Sequence, residues 1–497
     1  MIVNKLKRAL LTILKAAGFI CLAIVLVLAG TSVFFFIAGR DIDPPDVSDL
    51  LPPAPPPIAP SENMVPILMD ATNLLHLTSG DKQVLNSYRN AKWDRKISEG
   101  ESRVVLTEHE AAERADRILS TNAAVFAALD AALTCPRAQY PAELKVNFPI
   151  PESVETPAYS TLWSFEWDAY WYGGLVALHA RRLRENARSA EAVEELLRSG
   201  EMFARLSYAI ESDTCLLSLR GPCQPVAMEL VEAVVKDDLP DDTCVRIDAA
   251  CARWAQMRRK ALERSMAYLT GHIRNSFARD RAKMFEQLFP ASSFELPPDY
   301  RDCEWAAALA KGVERTVKSF PGYGRYAFQP NRTLCAWASA WREAKVSAFA
   351  TPFAADDRAR LAAREQARDK DFHLLRRNGV GAYALAGYNL VGLWSFVGRS
   401  AFWDESNRAA MAIARYRRKH GSLPPTLEAL VPEFLDIVPR DPFDAGRPLG
   451  YDVDQGTLHT VGADGTFSGK IPKPDARYGG LRGEQYRWIR RIDGQSL

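Results

Sequence analysis

The sequence predicts a mainly α-helical protein with an N-terminal apolar helix, an irregular helical body and a small α+β module at the C-terminus. An uncharged run of about 24 residues occupies positions 16–39. Apolar residues in the middle of the chain recur every three or four positions, which is typical of helices. After Asn407 the pattern changes to short apolar runs separated by turn residues. We therefore expect five segments: a basic tail 1–15, the apolar helix 16–39, a proline-rich linker 40–61, a helical body 62–405 and a C-terminal module 406–497.

The composition is ordinary for a folded protein, since 47% of the 497 residues are hydrophobic and 25% are charged. The net charge of +2 comes from 63 basic and 61 acidic residues. A protein that binds nucleic acid needs a basic face, and this balance provides no sign of one. We expect no nucleic-acid partner.

The apolar run 16–39 is long enough to cross about 30 Å of hydrocarbon as a helix. Four basic residues precede it and four aspartates follow it, so the positive-inside rule keeps the N-terminus in the cytoplasm. The flanking residues are Lys5, Lys7, Arg8, Lys15, Asp41, Asp43, Asp46 and Asp49. We expect a single-pass protein of the cytoplasmic (inner) membrane, with the lipid bilayer as a partner and the body outside the cytoplasm.

A cleaved signal peptide is the alternative interpretation of the same run. Signal peptides have an apolar region of about 7–15 residues that ends in a small-x-small site. This run is longer, and residues 36–39 read Phe-Ile-Ala-Gly, which fits such a site poorly. We therefore favour a retained signal anchor. The prolines of residues 44–60 exclude helix and central strand and predict an extended spacer between bilayer and body.

Helical patterning dominates the body, and no sheet of any size is expected there because alternating Val/Ile-rich runs are scarce. Pro157 is typical of a first helical position and Ser189 of an N-cap. No repeat of fixed period is present, which favours an irregular bundle over a solenoid. We expect helices over 108–134, from Pro157, over 190–210, 241–276, 300–318 and 334–347.

Aromatic residues flank two carboxylates in the helix that begins at Pro157. Glu166 and Asp168 lie among Trp163, Phe165, Trp167 and Trp171. A sugar-binding groove with acid/base chemistry uses this combination of residues. Aromatics at helical spacing more often form core, and we favour that interpretation.

A second apolar stretch, 379–398, is also long enough to span a membrane. It contains Asn389, Ser395 and five glycines, so we expect a buried or peripheral helix. If it crossed, the C-terminus would return to the cytoplasm.

The eight cysteines allow two interpretations. In an oxidising compartment Cys215 and Cys223 could close a short loop, whereas Cys244 and Cys251 on one helix are too far apart to bridge. Buried free thiols are the alternative. The chain contains no H-E-x-x-H, C-x-x-C, P-loop or G-x-S-x-G motif, so no motif predicts an enzyme.

The C-terminal module begins with a helix that ends at Gly421 after a basic last turn. A short helix over 427–431 and then two apolar runs, 449–453 and 457–461, follow it. Asp454-Gln455-Gly456 separates these runs, which predicts a β-hairpin.

This order of elements resembles the globular part of type II secretion major pseudopilins over residues 407–476. The matching residues are Tyr416, Gly421, Pro424, Leu430, Val431, Pro439, Asp441, Pro442, Phe443, Pro448, Tyr451, Gly462, Asp464 and Gly465. The resemblance implies a calcium site in the last loop with Asp464 and Asp475 as ligands, and oxygen ligands suit calcium. Two surface aspartates in a turn are the alternative.

The N-terminus departs from the pseudopilin pattern, since Gly18-Phe19 is followed by Ala23 where that family has glutamate. The whole chain is similar to exported helical bacterial membrane proteins that end in the same module. We therefore expect a membrane-anchored envelope protein without enzymatic activity that serves binding or assembly and is linked to secretion or pilus-like machinery. A glycan-active hydrolase and a ligand-binding module remain the alternatives.

Overall fold

A computed structural model of the chain divides into two compact units. The first unit contains Met1–Asp49, Ile273–Trp341 and Ala362–Asn389, and the second contains Leu50–His272, Arg342–Leu361 and Leu390–Leu497. Helix accounts for 75% of the described residues. The structure describes residues 2–51, 58–89, 96–99, 102–105, 108–139, 157–209, 223–279, 322–349, 360, 363, 377–379, 381, 390–444, 447–460 and 489–492.

The helices and strands are as follows. The α-helices of the described segments are α1 (Ile2–Ala38), α2 (Met64–Ala71), α3 (Ser79–Arg89), α4 (Glu108–Thr121), α5 (Ala123–Leu133), α6 (Pro157–Glu185), α7 (Ser189–Ala209), α8 (Cys223–Lys236), α9 (Asp241–Arg279), α10 (Tyr323–Ala327), α11 (Pro330–Phe349) and α12 (Leu390–His420). The strands are β1 (Lys96–Glu99), β2 (Ser102–Val105), β3 (Gly450–Asp452), β4 (Thr457–His459) and β5 (Ile489–Arg491). Strands β1 and β2 pair antiparallel, and β3, β4 and β5 form an antiparallel sheet in that order.

The first unit contains the apolar helix. Within α1, the segment Lys15–Ala38 has a mean hydropathy of 2.8, and only 6% of its most apolar window is buried. It is therefore long and apolar enough to cross a membrane, which confirms the predicted N-terminal helix. Trp337 and Trp341 of α11 are buried, and their rings stack with centroids 6.5 Å apart.

The described part of the linker is packed. Val47 is 3% exposed, and Leu50, at the end of the 3-10 turn Ser48–Leu50, is 4% exposed. Two buried apolar side chains hold this part of the segment against the protein, which a bare extended spacer would not require. Residues 52–57, which include the densest proline run, lie outside the described residues.

A continuous apolar core holds the second unit together. Helices α6, α7 and α8 pack on one another, and α12 packs on α8. The C-terminal residues Leu427, Leu430 and Leu458 belong to the same cluster of buried side chains as Leu196 and Leu230. The boundary that the sequence suggested at 405/406 falls inside α12.

Asn122 divides the helix that we expected over 108–134 into α4 and α5. Its buried side chain accepts a hydrogen bond from the His76 amide (2.8 Å) and donates to the His76 carbonyl (3.0 Å). These bonds satisfy backbone groups of a distant segment at the break between the helices. No periodicity argument could identify this break.

The other predicted helices agree with the structure where it describes them. Helix α6 begins at Pro157, and α7, α9 and α11 match the expected segments within a few residues. Ser189 is an exception, since its hydroxyl donates to Asp237 (2.7 Å) and does not cap α7. The helix expected over 300–318 lies outside the described residues.

Two elements were not expected from the sequence. The β1–β2 hairpin lies in the helical body, and its four-residue strands are too short for alternation to be distinctive. In the C-terminal module β5 pairs with β4 and extends the expected β3–β4 hairpin. Gly421 follows α12 with φ 72° and donates to the Arg417 carbonyl (2.8 Å), as expected for a C′ glycine.

Two sequence interpretations fall partly on residues outside the described set. Of the apolar stretch 379–398, residues 380 and 382–389 are not described, and its last part belongs to α12, where Val397 is buried. Cys215 is also outside, but Cys223, its predicted partner, is a free cysteine, so no Cys215–Cys223 disulfide closes this loop. The thiols of Cys135, Cys223 and Cys244 are free and buried.

A buried ion network joins α6 to α8. Glu229, 3% exposed, accepts hydrogen bonds from Arg184 and from Arg181 (2.8 Å). Arg181 also pairs with Glu232 (2.5 Å), and Arg184 with Asp237 (2.7 Å). Burial would raise the pKa of Asp237, but hydrogen bonds from Arg184 and Ser189 outweigh it and hold that pKa below its usual value. The charges compensate one another within the core.

We expect Glu229→Gln to lower the free energy of unfolding by about 3 kcal/mol, because two buried guanidinium groups lose a shared charged partner. The matched control is Glu191→Gln, which removes an exposed ion pair with Arg188 and should cost about 0.5 kcal/mol or less. Urea unfolding of both variants measures the difference. Equal losses in the two variants would contradict a structural role for this network.

Candidate functional site

Aromatic contacts fix the end of the apolar helix within the first unit. Phe35 is 4% exposed, and its ring meets those of Tyr323 (5.3 Å between centroids) and Tyr326 (5.1 Å) in α10. Phe34 also contacts Tyr326 (5.6 Å). We call the structure around this end, residues 34–42, 322–333 and 377–378, the collar.

Two glycines allow α1 and α10 to approach closely in the collar. A Cβ on Gly39 would lie 2.6 Å from the Phe35 carbonyl oxygen and 3.0 Å from the Tyr326 nitrogen. Gly322 has φ 84°, and a Cβ there would lie 3.0 Å from the Phe36 nitrogen. Side chains at either position would push the two backbones apart, and at Gly322 they would also meet backbone strain.

Asp41 caps a helix from a distant part of the chain. Its carboxylate accepts hydrogen bonds from the amides of Asn331 (2.8 Å) and Arg332 (3.1 Å), in the first turn of α11. The residue before Pro330 is Gln329, which is not a preferred capping residue. A remote carboxylate therefore satisfies the free amides and the positive end of the helix dipole.

Asn378 completes a buried polar network behind this cap. Its side-chain oxygen accepts hydrogen bonds from the backbone N–H of Gln329 (2.8 Å) and from the Thr333 hydroxyl (3.0 Å). The backbone N–H of Asn378 donates to the Tyr326 carbonyl (2.8 Å). Its φ of 59° is a left-handed conformation that asparagine tolerates. Gln329 in turn donates to the Ala38 carbonyl (3.0 Å), at the last turn of α1.

Three exposed arginines, Arg40, Arg325 and Arg377, lie in the collar at the end of α1. Arg377 donates to the Arg40 carbonyl (2.6 Å), and the Arg325 Cβ lies 3.0 Å from the position of a Cβ on Gly39. The Arg325 guanidinium also lies over the ring of Phe36, 5.7 Å from its centroid. The sequence places only Arg40 next to the apolar run, and the fold adds Arg325 and Arg377 beside it.

The two carboxylates of α6 that the sequence suggested for a sugar-binding groove are Glu166 and Asp168. Asp168 is half-buried, and burial raises its pKa while the Lys82 ammonium opposes that shift. The side chains of Trp163, Glu166 and Trp167 are outside the described set. Phe165, Tyr170 and Trp171 are 1%, 6% and 7% exposed, so these aromatics are core residues and do not form an open sugar-binding platform.

The calcium ligands that the pseudopilin resemblance implied, Asp464 and Asp475, lie outside the described residues. Asp441, another residue of the resemblance, is described and is 2% exposed. Its carboxylate accepts from the Phe443 amide (2.9 Å) and the Thr460 hydroxyl (2.6 Å). Asp441 thus holds the turn after Pro439 against the end of the β3–β4 hairpin.

A second charged cluster joins α9 to α12 and was not predicted. Arg258 pairs with Asp404, and Arg408 lies 3.7 Å from Asp248 and 3.8 Å from Glu405. Burial raises the pKa of both Asp248 and Glu405, against the nearby Arg408 charge. No group of three or more potential metal ligands occurs among the described residues. The cluster is an ion-pair interface between two helices.

Comparison of the chain with protein-family models, with curated proteins and with solved structures gives no match. The collar is therefore interpreted from its own geometry. It joins a helix that is able to cross a membrane to a rigid unit through buried rings, a remote helix cap and a buried amide network.

We expect Asp41→Ala to destabilise the first unit by about 1–2 kcal/mol, because the first-turn amides of α11 lose their acceptor. Thermal unfolding of the detergent-solubilised chain measures the loss. Amide hydrogen exchange should become faster at Asn331 and Arg332. Asp43→Ala removes a neighbouring exposed carboxylate and is the control. If both variants behave alike, the cap contributes nothing.

Proposed function

We propose that the chain is a single-pass protein of the cytoplasmic (inner) membrane, with its N-terminus in the cytoplasm and its body outside. The observation that carries this proposal is the segment Lys15–Ala38, which is apolar, 24 residues long and almost wholly unburied. Lys5, Lys7, Arg8 and Lys15 on its N-terminal side support the orientation. A bilayer is the solvent that such a surface requires.

The body serves binding or assembly in the cell envelope, without catalysis. The collar supports this role, because a membrane anchor that is rigidly built into a folded unit holds that unit at a fixed height above the bilayer. The resemblance of residues 407–476 to major pseudopilins adds secretion or pilus-like machinery as the class of partner. Gly421 as a helix stop, the β3–β4 hairpin and the buried Asp441 are compatible with that resemblance.

A glycan-active hydrolase that uses Glu166 and Asp168 is the alternative, together with a ligand-binding module in the helical body. The raised pKa of Asp168 would suit a general acid. The burial of Phe165, Tyr170 and Trp171 favours the non-enzymatic role, because sugar binding requires aromatic faces to be accessible.

Topology follows directly from the proposal. Alkaline phosphatase, which is active only outside the cytoplasm, should be active when fused after Leu497 and inactive when fused in place of the chain after Lys15. The protein should also remain in the membrane pellet after alkaline carbonate extraction. An inactive C-terminal fusion would contradict the single-pass arrangement and would indicate that 379–398 crosses as well.

The assembly role predicts stable partners. Affinity purification of the full chain from cross-linked, solubilised membranes should enrich envelope or secretion proteins relative to a control that carries residues 1–51 alone. The control retains α1 and removes the body, so partners of the body should be lost from it. Recovery of the same proteins with both baits, or of no envelope protein with the full chain, would count against the proposal.

A further inference from the structure

The collar places three arginines around the end of the apolar helix. Arg40, Arg325 and Arg377 come from widely separated parts of the chain, and all three are exposed. Arg40 itself belongs to this end of the helix. The Cβ of Arg325 lies 3.0 Å from the position of a Cβ on Gly39, and Arg377 donates a hydrogen bond to the Arg40 carbonyl (2.6 Å). Among the described residues, no carboxylate lies within 4.0 Å of these three guanidinium groups.

The carboxylate closest in sequence is directed elsewhere. Asp41 binds the amides of Asn331 and Arg332, so its charge is used at the N-terminus of α11. Folding therefore leaves three exposed arginines at the end of α1. Such an arrangement is stabilised when an anion binds between the guanidinium groups.

Phe36 sets the depth of this site relative to the apolar helix. The Arg325 guanidinium lies over its ring, while the ring itself is 55% exposed on the surface of α1. Val33 and Ile37, one turn before and one residue after, are 57% and 58% exposed. The site therefore lies where an exposed apolar surface meets charge, as at the boundary between acyl chains and headgroups.

We propose that Arg40, Arg325 and Arg377 bind the phosphate headgroup of an anionic phospholipid in the leaflet where α1 ends. The inference rests on the proposed membrane-anchored function. Guanidinium groups bind phosphate oxygens in bidentate geometry, and the exposed side chains of Val33, Phe36 and Ile37 contact the acyl chains of the same lipid. A free phosphate compound supplies an anionic group and lacks the apolar part that this surface recognises.

The test uses the full-length chain in a zwitterionic detergent, with lipid adducts measured by native mass spectrometry. Phosphatidylglycerol should bind, phosphatidylcholine should bind markedly less, and glycerol 3-phosphate should not compete at equal concentration. The double variant R40Q/R325Q should bind phosphatidylglycerol roughly 25-fold more weakly, at about fivefold per arginine. The charge-retaining variant R325K should lose less binding than R325Q, because lysine keeps the charge but not the bidentate geometry.

Two control variants keep the result interpretable. R246Q/R253Q removes two exposed arginines far along the chain, in α9, and should leave lipid binding unchanged. R325Q alone removes one exposed side chain whose described contact is the Phe36 ring, so it should fold even if the double variant does not. Its expected loss is about fivefold.

Three outcomes would overturn the inference. These are equal binding of phosphatidylcholine and phosphatidylglycerol, equally tight binding of glycerol 3-phosphate, and unchanged binding in both R325Q and R40Q/R325Q. Carbonate extraction separates this failure from a failure of the proposed function. A chain that stays in the membrane pellet and shows no preference for anionic lipid refutes the headgroup site alone, whereas a chain that is washed off refutes both.

Discussion

The hydrogen bonds of Asp41 are the interaction on which the first unit depends. They join the residues that follow the apolar helix to a helix whose first turn lies 290 residues later in the chain. Closing a loop of this length costs conformational entropy, and a half-buried cap alone would not offset it. The aromatic contacts of Phe35 and the buried amide of Asn378 act on the same few residues, so the three interactions stabilise one geometry together.

This geometry explains why the end of α1 differs from the rest of the helix. Between Lys15 and Ile37 nearly every described side chain is exposed, and Phe35 is the buried exception. A helix that presents apolar side chains to a bilayer must end at a defined point, because the backbone groups beyond it need new partners. Gln329 and Arg377 supply such partners to the carbonyls of Ala38 and Arg40.

The second unit depends on burial in a single core. Side chains from α6, α7, α8 and α12 and from the C-terminal sheet belong to one cluster, so the C-terminal module is part of a larger apolar interior. Charged groups enter this interior in compensated sets, as in the network of Arg181, Arg184 and Glu229. The pair of Arg258 and Asp404 is a second such set.

The sequence by itself determined the helical class, the apolar helix, the start of α6 at Pro157, the stop at Gly421 and the β3–β4 hairpin. Each of these depends on local physics: hydrophobic length and period, proline and glycine conformations, and turn residues. The tertiary structure decided the break at Asn122, the placement of Ser189 against Asp237, the strand β5 and the whole collar. These features depend on partners tens to hundreds of residues away. Nothing in the sequence distinguishes Asp41 and Arg325 from other charged residues. Only folding brings Asp41 to the start of α11 and Arg325 to the ring of Phe36.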